Sequence, residues 1–247
     1  MPGRLCLAAI LAAIFLAPGC SSDEGIINLP PGTGDTVLVS FRDGMSPYPE
    51  YFGTRDAVLK DGPISVLRDG NFGHVDFDTL GSVFLAQSYY ERRMILRFDL
   101  TPVIGCLSVL EAKVSVHVKS DCTDQIVVEA YEVILPPGYS ESWPEGTGGI
   151  GGGISWLTID GSAPWNHPGG DVTPILLDET TIQCDSVITL TLPNNLVFRW
   201  IESPQDNHGI LIRTRNTAIE SFRLLYLRES ADAALRPMLW LKYLKRG

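Results

Sequence analysis

Strict alternation of apolar and polar side chains between residues 110 and 119 constrains the fold of this chain more than any other feature. The apolar positions are Leu110, Ala112, Val114, Val116 and Val118, and between them stand Glu111, Lys113, Ser115, His117 and Lys119. Successive side chains of an extended strand point to opposite faces of a sheet. The pattern therefore predicts a β-strand with one buried face and one face in water.

Shorter runs of the same character recur along the chain, separated by Gly, Pro, Asn and Asp. They cover residues 36–41, 94–100, 126–134, 188–192, 209–213, 222–228 and 238–244. Short strands with turn residues between them are typical of an antiparallel sandwich, so the predicted fold class is all-β. One short helix is expected after Asn194, and its apolar face would be formed by Leu196, Val197, Trp200 and Ile201.

A long Gly-rich loop between residues 140 and 171 interrupts the strand series and contains Trp143, Trp156 and Trp165. Indole rings stack on the apolar face of a sugar, while neighbouring Asn and Asp side chains bond its hydroxyl groups. The candidate ligand-binding residues are therefore these tryptophans together with Asn166 and Asp171. The alternative is that the tryptophans pack against the sandwich and anchor the loop.

The N-terminal segment is typical of an exported lipoprotein. Arg4 precedes an apolar run over residues 5–16, which has the length of a signal-peptide core rather than of a membrane span. The sequence Ala17-Pro18-Gly19-Cys20 that follows resembles a lipobox, in which the cysteine is lipidated after cleavage. Ordinary signal-peptidase cleavage and a buried N-terminal helix are the alternatives.

These features divide the chain into three parts. We expect a lipoprotein signal peptide over residues 1–19, a tether over residues 20–35 and a folded domain over residues 36–247, with a membrane anchor through lipid at Cys20. Residue 21 is Ser, whereas lipoproteins retained at the inner membrane carry Asp there. The expected location is therefore the outer membrane or the cell surface.

The charge balance argues against a nucleic-acid partner. The chain has 19 basic and 29 acidic residues, a net charge of -10, and no cluster of Lys or Arg. Proteins that bind DNA or RNA neutralise phosphates with a basic patch, and such a patch is missing from the sequence.

Three cysteines remain once Cys6 leaves with the signal peptide and Cys20 is lipidated. Cys106 and Cys122 flank a predicted strand, which would hold them too far apart for a disulfide. Two alternatives stay open, a disulfide between Cys184 and one of them, or three buried thiols.

The sequence carries no motif for covalent or metal-dependent catalysis. Neither Gly-x-Ser-x-Gly nor His-Glu-x-x-His occurs, and the 4 histidines stand in separate segments. His74, Asp76 and Asp78 alternate and would share one face of an extended segment, where they are weak candidates for a cation site against the simpler interpretation of a solvated face. We expect a protein that is not an enzyme, and two acids facing each other across a groove would be the sign of a glycosidase instead.

Several segments, taken in order, resemble the DNRLRE domain family. They are 69–73 (DGNFG), 93–100 (RMILRFDL), 109–114 (VLEAKV), 141–146 (ESWPEG), 154–156 (ISW), 164–171 (PWNHPGGD), 207–212 (NHGILI), 222–229 (FRLLYLRE) and 236–239 (RPML). Leu227 departs from the pattern, because the family usually has Ser before Arg-Glu.

The resemblance implies a jelly-roll-like β-sandwich related to family 96 of the carbohydrate-binding modules, without catalytic residues. A structural calcium ion is compatible with such a sandwich, although no motif specifies its ligands, and no other cofactor is expected. The predicted function is that of a non-catalytic cell-surface lipoprotein that binds polysaccharide. The alternatives are a structural or adhesive envelope protein that engages another protein, and a glycan-cleaving enzyme.

Overall fold

The computed structural model describes residues 34–119, 124–136, 139, 142–184 and 186–246. The expected signal peptide, the lipidation site Cys20, most of the tether and Cys122 lie outside the described residues.

The described part of the chain is built mainly from β-strands. They are β1 (Asp35–Phe41), β2 (Thr54–Lys60), β3 (Gly70–Asn71), β4 (Phe77–Leu85), β5 (Ser88–Phe98), β6 (Cys106–His117), β7 (Ile126–Val133), β8 (Gly149–Ile150), β9 (Val172–Ile182), β10 (Val187–Thr191), β11 (Ile210–Thr214), β12 (Ser221–Tyr226) and β13 (Met238–Lys245). The helices are α1 (Ser65–Arg68) and α2 (Asn194–Glu202).

Two antiparallel sheets pack against each other and form a sandwich. The smaller sheet has the strand order β1-β13-β6-β10. The larger sheet has seven strands in the order β12-β4-β5-β11-β7-β9, with β2 paired to β5, and it is curled like half a barrel. Strands β3 and β8 form a separate two-stranded ribbon. The all-β sandwich expected from the alternation is confirmed.

The main core fills the space between the two sheets. The smaller sheet contributes buried residues such as Val114, Val116, Leu239 and Leu241, and the larger sheet contributes Met94, Leu96, Ile210 and Ile212. Each of these side chains alternates along its strand with an outward-facing one, which is how a sandwich buries one face of each sheet.

Helix α2 packs onto strand β6, and its buried residues are the Leu196, Val197, Trp200 and Ile201 that were expected on its apolar face. Its start differs from the prediction, because the residue before the helix is Pro193 and no side chain caps it. The Asn194 side chain instead donates a hydrogen bond from Nδ2 to the Leu110 carbonyl, at 2.8 Å. Helix α1 was not expected, since a helix of 4 residues carries no detectable periodicity.

A second hydrophobic cluster lies on the opposite face of the larger sheet, where the long loop covers it. The sheet contributes Ala57, Leu59, Ile95, Val133 and Leu211, and the loop contributes Trp143, Ile154, Trp156, Ile159 and Trp165. The larger sheet is therefore buried on both faces over this area. None of the helices in the described part of the chain is long and apolar enough to span a bilayer.

Candidate functional site

Trp240 is the only one of the chain's 5 tryptophans that is not buried, and all of them are described by the structure. It lies in β13, where Leu239 and Leu241 point into the core. The alternation of the strand therefore turns Trp240 to the outer face of the smaller sheet. An indole with solvent access in the middle of a sheet is a surface on which a planar ligand can stack.

A row of side chains crosses the outer face of the smaller sheet at the level of Trp240. Ser40 of β1 is directly opposite Trp240, Lys113 of β6 is opposite it on the other side, and Thr191 of β10 is opposite Lys113. Directly opposed residues of antiparallel strands share a face. With strands ~4.8 Å apart, the row extends over roughly 14 Å, which is long enough for more than one sugar ring.

The residues beside the indole in this row are polar, and few of them are charged. The Lys113 ammonium lies 5.8 Å from the centroid of the Trp240 ring and forms an ion pair with Glu111 at 2.5 Å. Ser40 donates a hydrogen bond from its hydroxyl to Ser46, at 2.9 Å. Leu38, one strand away, is 60% exposed and adds an apolar surface. We call this surface, made of Leu38, Ser40, Glu111, Lys113, Thr191 and Trp240, the Trp240 face.

His117 lies at one end of β6 on the same outer side. Partial burial lowers the pKa of His117, the nearby Arg42 lowers it further, and Asp232 acts in the opposite direction. The imidazole is therefore neutral at neutral pH, so this end of the sheet adds a hydrogen-bonding group rather than a positive charge.

The three tryptophans predicted to form a sugar platform are buried in the loop cluster. Trp143, Trp156 and Trp165 are 0%, 6% and 5% exposed. The indole N–H of Trp143 donates to the His208 carbonyl at 2.9 Å, and that of Trp165 donates to the Ser155 carbonyl at 3.0 Å. Stacking needs an exposed ring face, so the expected platform is not present. Their surroundings fit the alternative interpretation, in which the tryptophans pack against the sandwich and anchor the Gly-rich loop.

The predicted partners Asn166 and Asp171 form a turn rather than an open polar surface. Asp171 is buried, and its carboxylate accepts hydrogen bonds from the backbone N–H groups of Asn166 and His167, at 2.8 and 2.9 Å. The Asn166 side chain also donates to this carboxylate, at 3.1 Å. Asp171 therefore stabilises the loop, and Asn166 remains exposed beside it.

The weak cation candidates do not form a site. His74 and Asp76 precede β4, and only Asp78 lies in a strand, so the expected shared face does not exist. Asp78 is buried and pairs with Lys60 at 2.7 Å. No group of three or more His, Cys, Asp or Glu side chains that could hold a metal ion occurs among the residues the structure describes.

Asn71 organises the Gly-rich part of the loop. Its buried amide donates from Nδ2 to the carbonyls of Gly149 and Gly151, at 3.1 and 2.9 Å, and its Oδ1 accepts from the Gly148 N–H at 2.6 Å. Gly146 adopts a positive φ of 86° directly against the Asn71 side chain, so a larger residue there would collide with it. One amide thus holds three glycines of a segment that has few side chains of its own.

A cluster of carboxylates around Arg228 covers the free edge of β2. The N–H groups of Thr54 and Asp56 donate to the carboxylates of Asp43 and Glu145, at 2.8 and 2.9 Å. Arg228 pairs with both of these carboxylates and with Glu229. Arg97 does not join this cluster and donates to the Asn207 carbonyl and to the Ser142 hydroxyl.

Two acids of the Arg228 cluster have raised pKa values. Complete burial raises the pKa of Asp56, and the charge of Glu145 raises it further against the effect of Arg228. Burial also raises the pKa of Glu145, while its bonds to the Asp56 N–H and Arg228 lower it. The side chain of Glu145 is only 12% exposed and Asp56 is fully buried, so this pair does not face a groove as the acids of a glycosidase would.

The cysteines settle one of the open alternatives. Cys184 is disulfide-bonded, and Cys106 is free and buried. The partner of Cys184 therefore lies outside the described residues. The alternative with three free thiols is wrong.

The sequence contained a signal for Trp240 that our prediction did not use. In the run 238–244, Leu239, Leu241 and Tyr243 alternate with Met238, Trp240 and Lys242. A tryptophan that shares a strand face with lysine is expected to lie on the wet side of the sheet.

A scan against protein-family models finds no family that matches this chain, and a search of curated proteins finds no matching relative.

Proposed function

We propose that this protein is a non-catalytic carbohydrate-binding member of the DNRLRE family, and that its glycan-binding surface is the Trp240 face. The observation that carries the proposal is that Trp240 alone among the tryptophans reaches solvent, in the middle of a row of hydroxyl and charged side chains. Sugars are bound by such a combination, in which a ring covers the apolar C–H face while polar groups bond the hydroxyls.

The charge of the protein limits the class of glycan. A net charge of -10 repels polyanionic chains at long range, so we propose a neutral polysaccharide as the ligand. The Trp240 face is open and shallow because it is a sheet surface rather than a cleft. We therefore expect modest affinity, with specificity set by the hydroxyl groups that Ser40, Thr191 and Lys113 can reach.

Export to the outer membrane or cell surface through a lipid at Cys20 is part of the proposal. The disulfide of Cys184 supports it, because disulfides form and persist in oxidising compartments and are rare in the cytosol. A polysaccharide-binding protein outside the cytoplasm would also have access to its ligand.

The test is a glycan array probed with the purified full-length chain, with and without calcium, beside a Trp240→Ala variant. We expect binding to a neutral polysaccharide that weakens at least tenfold in this variant, equivalent to about 1.4 kcal/mol. Tyr89→Ala is the matched control, since Tyr89 is an exposed aromatic residue of the other sheet and is 45% exposed. Equal binding by both variants, or no binding to any glycan, would reject the proposal.

A second candidate function, engagement of another protein, is favoured by an exposed apolar cluster on the hairpin between β4 and β5. The rings of Phe84 and Tyr89 are 5.0 Å apart, and both are exposed, as is Leu85. The turn between them places Ala86 and Gln87 at φ values of 46° and 66°, a conformation that non-glycine residues rarely adopt. A photo-crosslinker at position 84 on intact cells would join the chain to one defined protein if this function holds, and a crosslinker at Lys242 would not.

A further inference from the structure

A pocket of about 220 Å³ opens at the end of the larger sheet, next to the connection between β11 and β12. It is lined by Gln125, Ile126, Val127, Thr214, Arg215, Asn216, Ile219 and Ser221. Its volume lies below the range of about 300–1,000 Å³ that is typical of drug-sized ligands. The pocket therefore suits a single small molecule.

Thr214 indicates that the pocket takes a polar ligand. Thr214 is only 3% exposed, and its hydroxyl has no hydrogen-bond partner among the described residues. A buried hydroxyl without a partner is unfavourable, because its hydrogen bonds to water are lost and not replaced. A ligand hydroxyl in the pocket would supply the missing bond.

The lining has no free charge to recognise an ion. Arg215 is the one ionisable residue among the lining residues given above, and its guanidinium already pairs with Glu129 at 2.7 Å and with Glu179. The remaining polar groups are the amides of Gln125 and Asn216 and the hydroxyls of Thr214 and Ser221. These groups both donate and accept hydrogen bonds, as the hydroxyls of a neutral sugar do.

The wall of the pocket is held in place by the rest of the fold. The Asn216 side chain accepts a hydrogen bond from the Ala218 N–H at 3.1 Å, and the Ser82 hydroxyl donates to the Thr217 carbonyl at 3.0 Å. The Arg215 N–H donates to the Val127 carbonyl, also at 3.0 Å. The apolar side chain of Ile219 completes the rim and offers a surface for C–H groups.

We propose that this pocket binds one neutral pyranose, as a subsite for the end of a glycan or for a free monosaccharide. The choice of ligand rests on the proposed carbohydrate function, but the pocket belongs to the larger sheet and shares no residue with the Trp240 face. Thr214 would bond a ligand hydroxyl, Gln125 and Asn216 would bond hydroxyls nearer the mouth, and Ile219 would contact the apolar side of the ring.

Saturation-transfer NMR on the full-length chain tests the subsite with a panel of neutral monosaccharides, and with a uronic acid and an amino sugar as charged comparators. We expect saturation of at least one neutral sugar. Thr214→Val, which has the same shape without the hydroxyl, should fold at least as stably and weaken binding about tenfold. Ile219→Trp should block the pocket, and Tyr89→Ala, which removes an exposed ring outside both proposed sugar sites, should leave monosaccharide binding unchanged.

The outcomes separate the two proposals. If no neutral monosaccharide binds, if a charged comparator binds better, or if both pocket variants bind as well as the natural chain, the subsite is rejected. The Trp240 face is tested separately, by whether the Trp240→Ala variant loses polysaccharide binding on the array. Binding of a free sugar that competes with a soluble oligosaccharide of the same sugar would indicate a chain-end site, and binding without such competition would indicate a free-sugar site.

Discussion

The guanidinium of Arg228 holds the carboxylate of Glu145 through two hydrogen bonds, of 3.0 Å from Nε and 2.5 Å from Nη2, although the residues are 83 positions apart. Glu145 lies in the long loop, and Arg228 follows β12. Because Glu145 also accepts the Asp56 N–H, this ion pair joins the loop, β2 and the end of β12.

Replacing Arg228 by Met should destabilise the protein strongly. The variant leaves Glu145 and the buried Asp43 without their positive partner, and breaking such a buried pair costs about 3–5 kcal/mol. The free energy of unfolding from denaturant titration measures this loss. Arg68→Met is the control, because the ion pair of Arg68 with Asp61 is partly exposed and should contribute at most about 1 kcal/mol. Equal losses in the two variants would contradict the prediction.

Replacing Asp56 by Asn should change the pH dependence of stability. Burial and Glu145 raise the pKa of Asp56 in the folded state above its unfolded value of about 3.9. A raised carboxyl pKa contributes stability that is complete below the unfolded pKa and is lost as the pH rises through the folded pKa. The gain of Asp56→Asn over the natural chain should therefore grow with pH, by up to about 1.4 kcal/mol per pH unit in that window.

Unfolding titrations of both chains from pH 4 upward give this difference directly. A difference that stays constant with pH would mean that Asp56 titrates alike in the folded and unfolded states. The side-chain oxygen of Asn can still accept a hydrogen bond from the Arg228 backbone N–H, as Asp56 Oδ2 does at 2.8 Å. The substitution therefore removes the charge and keeps this hydrogen bond.

Replacing Asn71 by Ala should loosen the loop. The change leaves the carbonyls of Gly149 and Gly151 and the Gly148 N–H without their bonds to Asn71, at a cost of about 1–3 kcal/mol. Hydrogen exchange of the amides in residues 148–150 should accelerate, and the unfolding free energy should fall. Asn166→Ala is the matched control and should cost less than Asn71→Ala, since Asn166 is exposed and its side chain makes one hydrogen bond, to Asp171. The prediction fails if residues 148–150 exchange at the natural rate.

Acrylamide quenching of fluorescence should report on Trp240 alone. The other tryptophans are at most 6% exposed, so the quencher cannot contact them in the folded state. We expect one quenchable component, which Trp240→Phe removes. If that variant keeps the component, the quencher reaches a different indole and the Trp240 face is misassigned. A neutral polysaccharide that binds at this face should also protect Trp240 from quenching.

The sandwich could be predicted because alternation directly encodes which side chains face the core. Strand β6 and helix α2 carried clear patterns, and both elements were confirmed. Leu110 is an exception to the predicted alternation, because a register shift in β6 exposes it and buries Val109 instead. Strand β9 was missed because it lies at the edge of the larger sheet, where Pro174 and the acids Asp178 and Glu179 are tolerated and alternation is weak.

The site was harder to predict because a sequence does not show which surface a loop will cover. Trp143, Trp156 and Trp165 have the same chemistry as Trp240, and only the packing of the loop against Ile95 and its neighbours distinguishes them. Pairings between distant residues, such as Glu145 with Arg228, depend on the topology that brings their segments together. The alternation around Trp240 was the one local signal available.

The carboxylates of Asp43 and Glu145 have a consequence for how copies of this protein behave beside one another. Among the strands that the structure describes, β2 pairs only with β5, and along its other side the N–H groups of Thr54 and Asp56 are already bonded to these two acids. An extended segment of an adjacent molecule would find these two donors already bonded. Two copies brought close together are therefore not expected to extend one sheet into the other along this border.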